Sequence, residues 1–162
     1  MDELQKKSIT GKGGLLNYLM WGLLPLLLGF IYDGLIKQGF EWGNIMLTGL
    51  SIVFFVFWYS VGYNSLDHFD SAVKSFIPAN CFSVLFFVIG AVMVLMTGTF
   101  PENFVGHLCE MFFFPAYSIS RIVMLSLIDE APDFACLVLS FLLTSAIYVS
   151  GYMQAKKFPI SA

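Results

Sequence analysis

The chain has 162 residues, of which 58% are hydrophobic and 12% charged, and its mean hydropathy is +0.81. Eight basic and 11 acidic side chains cannot cover a soluble domain of this size, which takes about a quarter of its residues charged, so the chain reads as an integral membrane protein. A formal charge of −3 and a pI of about 5.2 leave no basic surplus for a phosphate backbone, which excludes nucleic acid as a partner.

Residues 1–14 form a polar leader carrying Lys6, Lys7 and Lys12, expected on the cytoplasmic side. Within it, Gly11-Lys12-Gly13-Gly14 lacks the frame and the preceding strand of a phosphate loop and reads as a hinge. The apolar run that follows is too long for a signal sequence, and Tyr32, Asp33 and Gly34 stand where small cleavage residues would be. It is therefore an uncleaved first span over residues 15–36, with Asp33 near its far end. Crossing about 30 Å of hydrocarbon takes around 20 helical residues, and the continuous apolar runs rule out the alternating strands of a barrel. A second uncharged stretch covers residues 44–66, with Trp42, Trp58, Tyr59 and Tyr63 placed toward its ends as interfacial aromatics would be. The third span is expected over residues 77–98, with Pro78 in its first turn, where a missing amide costs little. The last clear span is residues 134–155, opened at Pro132 or Asp133 and closed by Lys156 and Lys157, before a short tail over residues 156–162.

The segment from Phe104 to Ile128 is mixed: rich in Phe, Leu, Ile and Met, it also carries His107, Glu110, Pro115 and Arg121. As a fifth transmembrane helix it is long enough to cross with some tilt. As an interfacial or re-entrant segment it leaves four spans, and charge then favours it: Lys6, Lys7, Lys12, Lys74, Lys156 and Lys157 fall inside, Lys37 and Arg121 outside. Five spans move Lys156 and Lys157 outside and erase that bias. Apolar content and the rarity of long structureless connections favour the helix. The expected fold is an all-α integral membrane helical bundle, one domain over residues 15–155 with five transmembrane helices. The alternative is four helices plus an interfacial or re-entrant segment over residues 104–128.

Thr97-Gly98-Thr99-Phe100-Pro101-Glu102, then His107, then Phe112-Phe113-Phe114-Pro115, carry a resemblance over about 30 of the 162 residues. They resemble the DRAM-like group of small polytopic membrane proteins, in which a helix ends in a G-x-F-P turn and the next opens with a His followed by paired phenylalanines. The resemblance implies that Phe104 to Ile128 is a true helix. It departs in length, since that group usually has six helices and this chain has room for five, and it implies little chemistry.

Ionisable side chains inside a membrane are functional candidates by default, because burying them unpaired is costly. Here they are Asp33, His107, Glu110 and Arg121. His107 and Glu110 stand at i and i+3 and can meet on one helix face, and Asp33 exits its span on the same side, so a His107, Glu110, Asp33 cluster is expected at the outer face. It suits a proton relay, a headgroup or a divalent ion, or merely a hydrated helix end. Glu110 and Arg121 are 11 residues apart, too far to touch on a straight helix, and Arg121 with Ser118 and Ser120 suits an anionic headgroup in the inner leaflet. Asp67, His68 and Asp70, with Lys74 a turn later, read as a cytoplasmic turn. Cys81, Cys109 and Cys136 have no C-x-x-C spacing and read as packing residues. Ser140, Thr144, Gly151, Gly90 and Ala91 signal close helix contacts.

No nucleophile comes with its base, so no catalytic residue, cofactor or metal ligand is assigned. The expected function is that of a small multi-pass membrane protein without catalytic activity, an accessory subunit of a membrane complex or a lipid-interacting protein. Its partners would be the lipid bilayer and other membrane subunits or a second copy. The rival classes are a proton, ion or small-solute transporter or channel using the intramembrane His, Glu and Arg, and an intramembrane lipid-modifying enzyme.

Overall fold

The computed structural model describes residues 16–37, 43–69, 71–100, 102–130 and 132–158. They form α1 (16–22), α2 (Leu24–Lys37), α3 (Gly43–Asn64), a 3-10 turn η1 (Ser65–Asp67), α4 (Ala72–Thr97), α5 (Phe104–Ile128) and α6 (Asp133–Lys157). The all-α bundle is as expected: no strand occurs among the described residues, and five helical segments are long and apolar enough to cross a membrane. The leader, Trp42, Asp70 and Pro101 lie outside the described residues.

Two expected boundaries change, both at prolines. The first span is not one continuous helix but breaks at Leu23, between α1 and α2. Pro25 has no N–H for the Trp21 carbonyl and its ring crowds that turn. The chain answers with a tight turn in which the Leu23 amide bonds the Met20 carbonyl and the Leu26 amide bonds that of Leu23. The third span starts earlier than expected: α4 begins at Ala72, with the Ser75 amide bonded to the Ser71 carbonyl, so Lys74 is helical and Pro78 lies inside the helix. At its far end Gly98 adopts φ 83°, a left-handed cap that favours glycine, and its amide closes on the Val94 carbonyl at 2.7 Å.

Neighbouring contacts fix the helix directions. Along α4 and α6, Ser75 meets Tyr148, Phe87 stacks on Phe141 at 4.4 Å and Gly90 meets Leu137, so the two run antiparallel. Along α3 and α6, Trp58 packs on Tyr148 and the Tyr63 hydroxyl donates to the Phe158 carbonyl at 3.3 Å, so those two run parallel. The first span opposes α3, since Tyr18 meets Phe69 and Trp21 meets Phe57. One end of the bundle therefore gathers the close of α2, the start of α3, the close of α4 and the start of α6. We call it the His107 end. The other holds the start of α1, the α3–α4 turn and the close of α6, and we call it the Lys74 end.

Helix backbones touch where glycine permits. A Cβ on Gly62 would strike the Tyr148 carbonyl of α6, and one on Gly151 would strike the Tyr59 carbonyl of α3, so the parallel pair is locked from both sides. Gly29 of α2 lies against the Met111 carbonyl of α5. That carbonyl sits four residues before Pro115, which has no N–H to bond it. Close approach by α2 gives it a backbone neighbour.

Aromatics fill two clusters. Toward the Lys74 end are Tyr18, Phe54, Trp58, Val61, Ala79 and Tyr148; toward the His107 end are Phe112, Phe113 and Leu137, joined by Phe86, Phe87 and Phe141. Trp58 is thus not an interfacial aromatic. It is 1% exposed, stacked on Phe54 at 5.9 Å, because α6 passes close enough at Gly62 to cover it. Leu, Ile and Val side chains on the outward faces stay exposed, as expected of surfaces facing lipid.

Candidate functional site

The mixed segment is central to the packing: α5 lies against α2, α3, α4 and α6. Its start is set by Asn103, whose side chain accepts from the Gly106 amide at 2.8 Å, an N-cap signal readable from sequence and missed above. The first two turns then carry His107 and Glu110 on the face toward α2. Gly29 lets that helix come close, which brings Asp33 within reach.

The expected cluster forms. His107 Nε2 faces Asp33 Oδ2 at 4.0 Å, and His107 Nδ1 faces Glu110 Oε2 at 3.8 Å. The ring edge also meets Phe30 at 6.1 Å, so α2 holds the imidazole by one aromatic and one carboxylate. The two carboxylates sit off opposite ring nitrogens. One metal ion could not bind a ring nitrogen and both of them, and no group of three or more metal-capable side chains is present among the described residues. The geometry suits an imidazole held between two carboxylates. In front lies an open groove of about 400 Å³ lined by Phe100, Glu102, Asn103, Phe104, His107 and Glu110.

Arg121 does not join the cluster. It is exposed, and it lies near Cys136 in the first turn of α6, at the His107 end. Arg121 therefore does not sit at the end opposite His107, because Tyr117 and Ser120 just before it bond Asp133 and Ser140 of the first turns of α6. Ser118 and Ser120 do not serve Arg121 either. Ser118 shares a 2.7 Å hydrogen bond with Ser51 of α3, and Ser120 accepts from Ser140 of α6 at 2.8 Å. Asp133, expected only to mark a helix start, accepts from the Tyr117 hydroxyl at 2.5 Å. These hydroxyl contacts bolt α5 to its neighbours, and no sequence spacing announces them because each joins two distant helices.

At the Lys74 end, Asp67 and His68 are exposed in the expected turn, with the Tyr18 and His68 rings edge-on and their centres 5.8 Å apart. Cys109 and Cys136 are buried and Cys81 half-buried, all three as free thiols. Between the clusters is a cavity of only about 10 Å³, enclosed among others by Trp58, Ser83, Phe112, Phe113 and Thr144. That is about the room of one water and far too little for a solute.

The ion pairs of the cluster are long, and His107 and Glu110 are 38% and 42% exposed, so their contribution to stability is screened. Glu110→Gln is expected to shift unfolding in detergent by less than about 1 kcal/mol. A larger loss in a thermal or denaturant titration would mean the cluster is there to hold the fold.

No protein-family model matches the chain, and no curated protein or solved structure does either. Function has to be reached from the site.

Proposed function

We propose that the chain is a multi-pass membrane protein without catalytic activity of its own that serves as an accessory subunit, holding a neighbouring membrane protein by a basic edge at the His107 end. The observation that carries this reading is the charge of the groove. Glu102 and Glu110 line it, Asp33 and Asp133 flank it, and Arg121 stands about three helical turns further along α5. Phe100 and Phe104 add apolar surface beside the acids, the pairing that suits a Lys- or Arg-bearing helix end emerging from lipid. Lys74, Lys156 and Lys157 stand at the other end, which the positive-inside rule assigns to the cytoplasm, so the groove faces outward.

Native mass spectrometry of the protein extracted in mild detergent from its own membranes tests this. The expected result is an 18.1 kDa chain carrying a second polypeptide that is lost when Glu102→Gln and Glu110→Gln are combined. A bare, stable monomer would count against the proposal, and a bound lipid lost in the same variant would move it to the lipid-interacting form. The transporter reading asks for flux in liposomes that disappears in His107→Ala with Glu110→Gln. The 10 Å³ central cavity argues against it.

A further inference from the structure

Length and composition admit α5 as a membrane crossing, but its contacts lead elsewhere. Its first turns are at the His107 end, where His107 meets Asp33 and Cys109 lies by Gly90. Its middle reaches deepest, where Phe112, Phe113 and Ala116 join Phe54 and Trp58 around the central cavity. Past Pro115 the contacts climb back. Ser118 bonds Ser51, which is closer to the start of α3 than Phe54 is, and Ser120 bonds Ser140 in the second turn of α6. The four residues 129–132 then join α5 to Asp133, and at about 3.5 Å per residue so short a link cannot return a chain from the opposite face of a 30 Å core. Both ends of α5 thus lie at one end of the bundle, which explains how a single helix can touch the other four.

We infer that α5 is a re-entrant helix whose second half lies along the leaflet at the His107 end, an anchoring surface for lipid. Ile122, Leu125, Leu127 and Ile128 are all exposed there, between 43% and 71%, and the protein offers them no cover. Their occupant is the acyl region just beneath the headgroups. The crossing helices likewise expose Leu, Ile and Val side chains, while exposed Arg121 at one limit and Asp129 and Glu130 at the other give the half-helix polar ends suited to the interface. Four segments then cross: α1 with α2, α3, α4 and α6. The start of α1 and the close of α6 share the Lys74 end, so Lys74, Lys156 and Lys157 are on one side and Arg121 on the other, an asymmetry that five crossings would abolish.

The test uses the full chain with Cys81→Ala, since Cys109 and Cys136 are buried, and single cysteines at exposed positions labelled by an impermeant maleimide in sealed vesicles. Lys74→Cys and Lys156→Cys are expected to react from one side, and Asn103→Cys and Glu130→Cys from the other. If Glu130→Cys reacts with Lys74→Cys, or Lys156→Cys with Asn103→Cys, α5 crosses and the inference fails. A spin label at Leu125→Cys in phosphatidylcholine and phosphatidylglycerol vesicles checks the occupant. Oxygen accessibility at a depth just below the phosphates is expected. A mid-bilayer depth overturns the interfacial placement, and exclusion of both oxygen and aqueous relaxant means a protein covers the face.

Discussion

Gly29→Ala is expected to destabilise the protein by about 3 kcal/mol or more, although it adds one methyl group. The new carbon would occupy the place of the Met111 carbonyl, and a backbone atom in the middle of α5 cannot swing aside as a side chain would. The helices must part instead. In lipid that separation is costly, because association there rests on close packing and not on removal of apolar surface from water. Gly34→Ala, five residues on in the same helix, meets nothing within 4 Å and should leave stability unchanged within about 0.5 kcal/mol. Unfolding of both variants in a denaturing detergent titration checks the contrast. The effect should also reach the cluster: with α2 displaced, Asp33 draws away from His107, so the His107 ring resonances should move in Gly29→Ala and stay as in the parent in Gly34→Ala. Equal stabilities for the two variants would mean the α2–α5 contact is not what holds this end of the bundle.

What could be read from the residues was whatever is local in the chain. Four charge-free runs gave four helical spans, the first of them in two pieces, the i to i+3 spacing of His107 and Glu110 gave one edge of the cluster, and the exit of the first span gave Asp33 its side. Local proline chemistry was also readable, yet Pro25 inside an apolar run is masked by the run itself, and hydropathy alone carries the first helix through the break at Leu23. What could not be read is depth. Hydropathy sees that Phe104 to Ile128 is apolar, but not that its middle is held by Ser51 and Ser140, since those bonds span 67 and 20 positions of the chain. The same limit hid Trp58: in sequence an aromatic near a span end looks interfacial, and only the passage of α6 at Gly62 decides that it faces inward.

Trp58 supplies the second large effect. A tryptophan at a membrane interface can be replaced at small cost, whereas this one fills the space between α3 and α6 with Phe54 on one side and Tyr148 on the other. Trp58→Ala is expected to cost roughly 3 kcal/mol, the low end of the range for buried aromatics in soluble proteins, because in lipid the lost dispersion contacts and the cavity remain while the transfer contribution shrinks. Trp58→Phe separates the ring from its polar atom. The indole Nε1 is buried without a hydrogen-bond partner among the described residues, so phenylalanine gives up no bond to the protein and retains most of the stacking on Phe54. Its cost should stay below about 1.5 kcal/mol, the price of a volume change in a packed core. Thermal unfolding in detergent, followed by near-ultraviolet circular dichroism, reports both. A Trp58→Phe as damaging as Trp58→Ala would show that the indole N–H is bonded in the folded protein, and Ser83, which shares the central cavity with Trp58 and is itself without a partner among the described residues, would be the side chain to vary next.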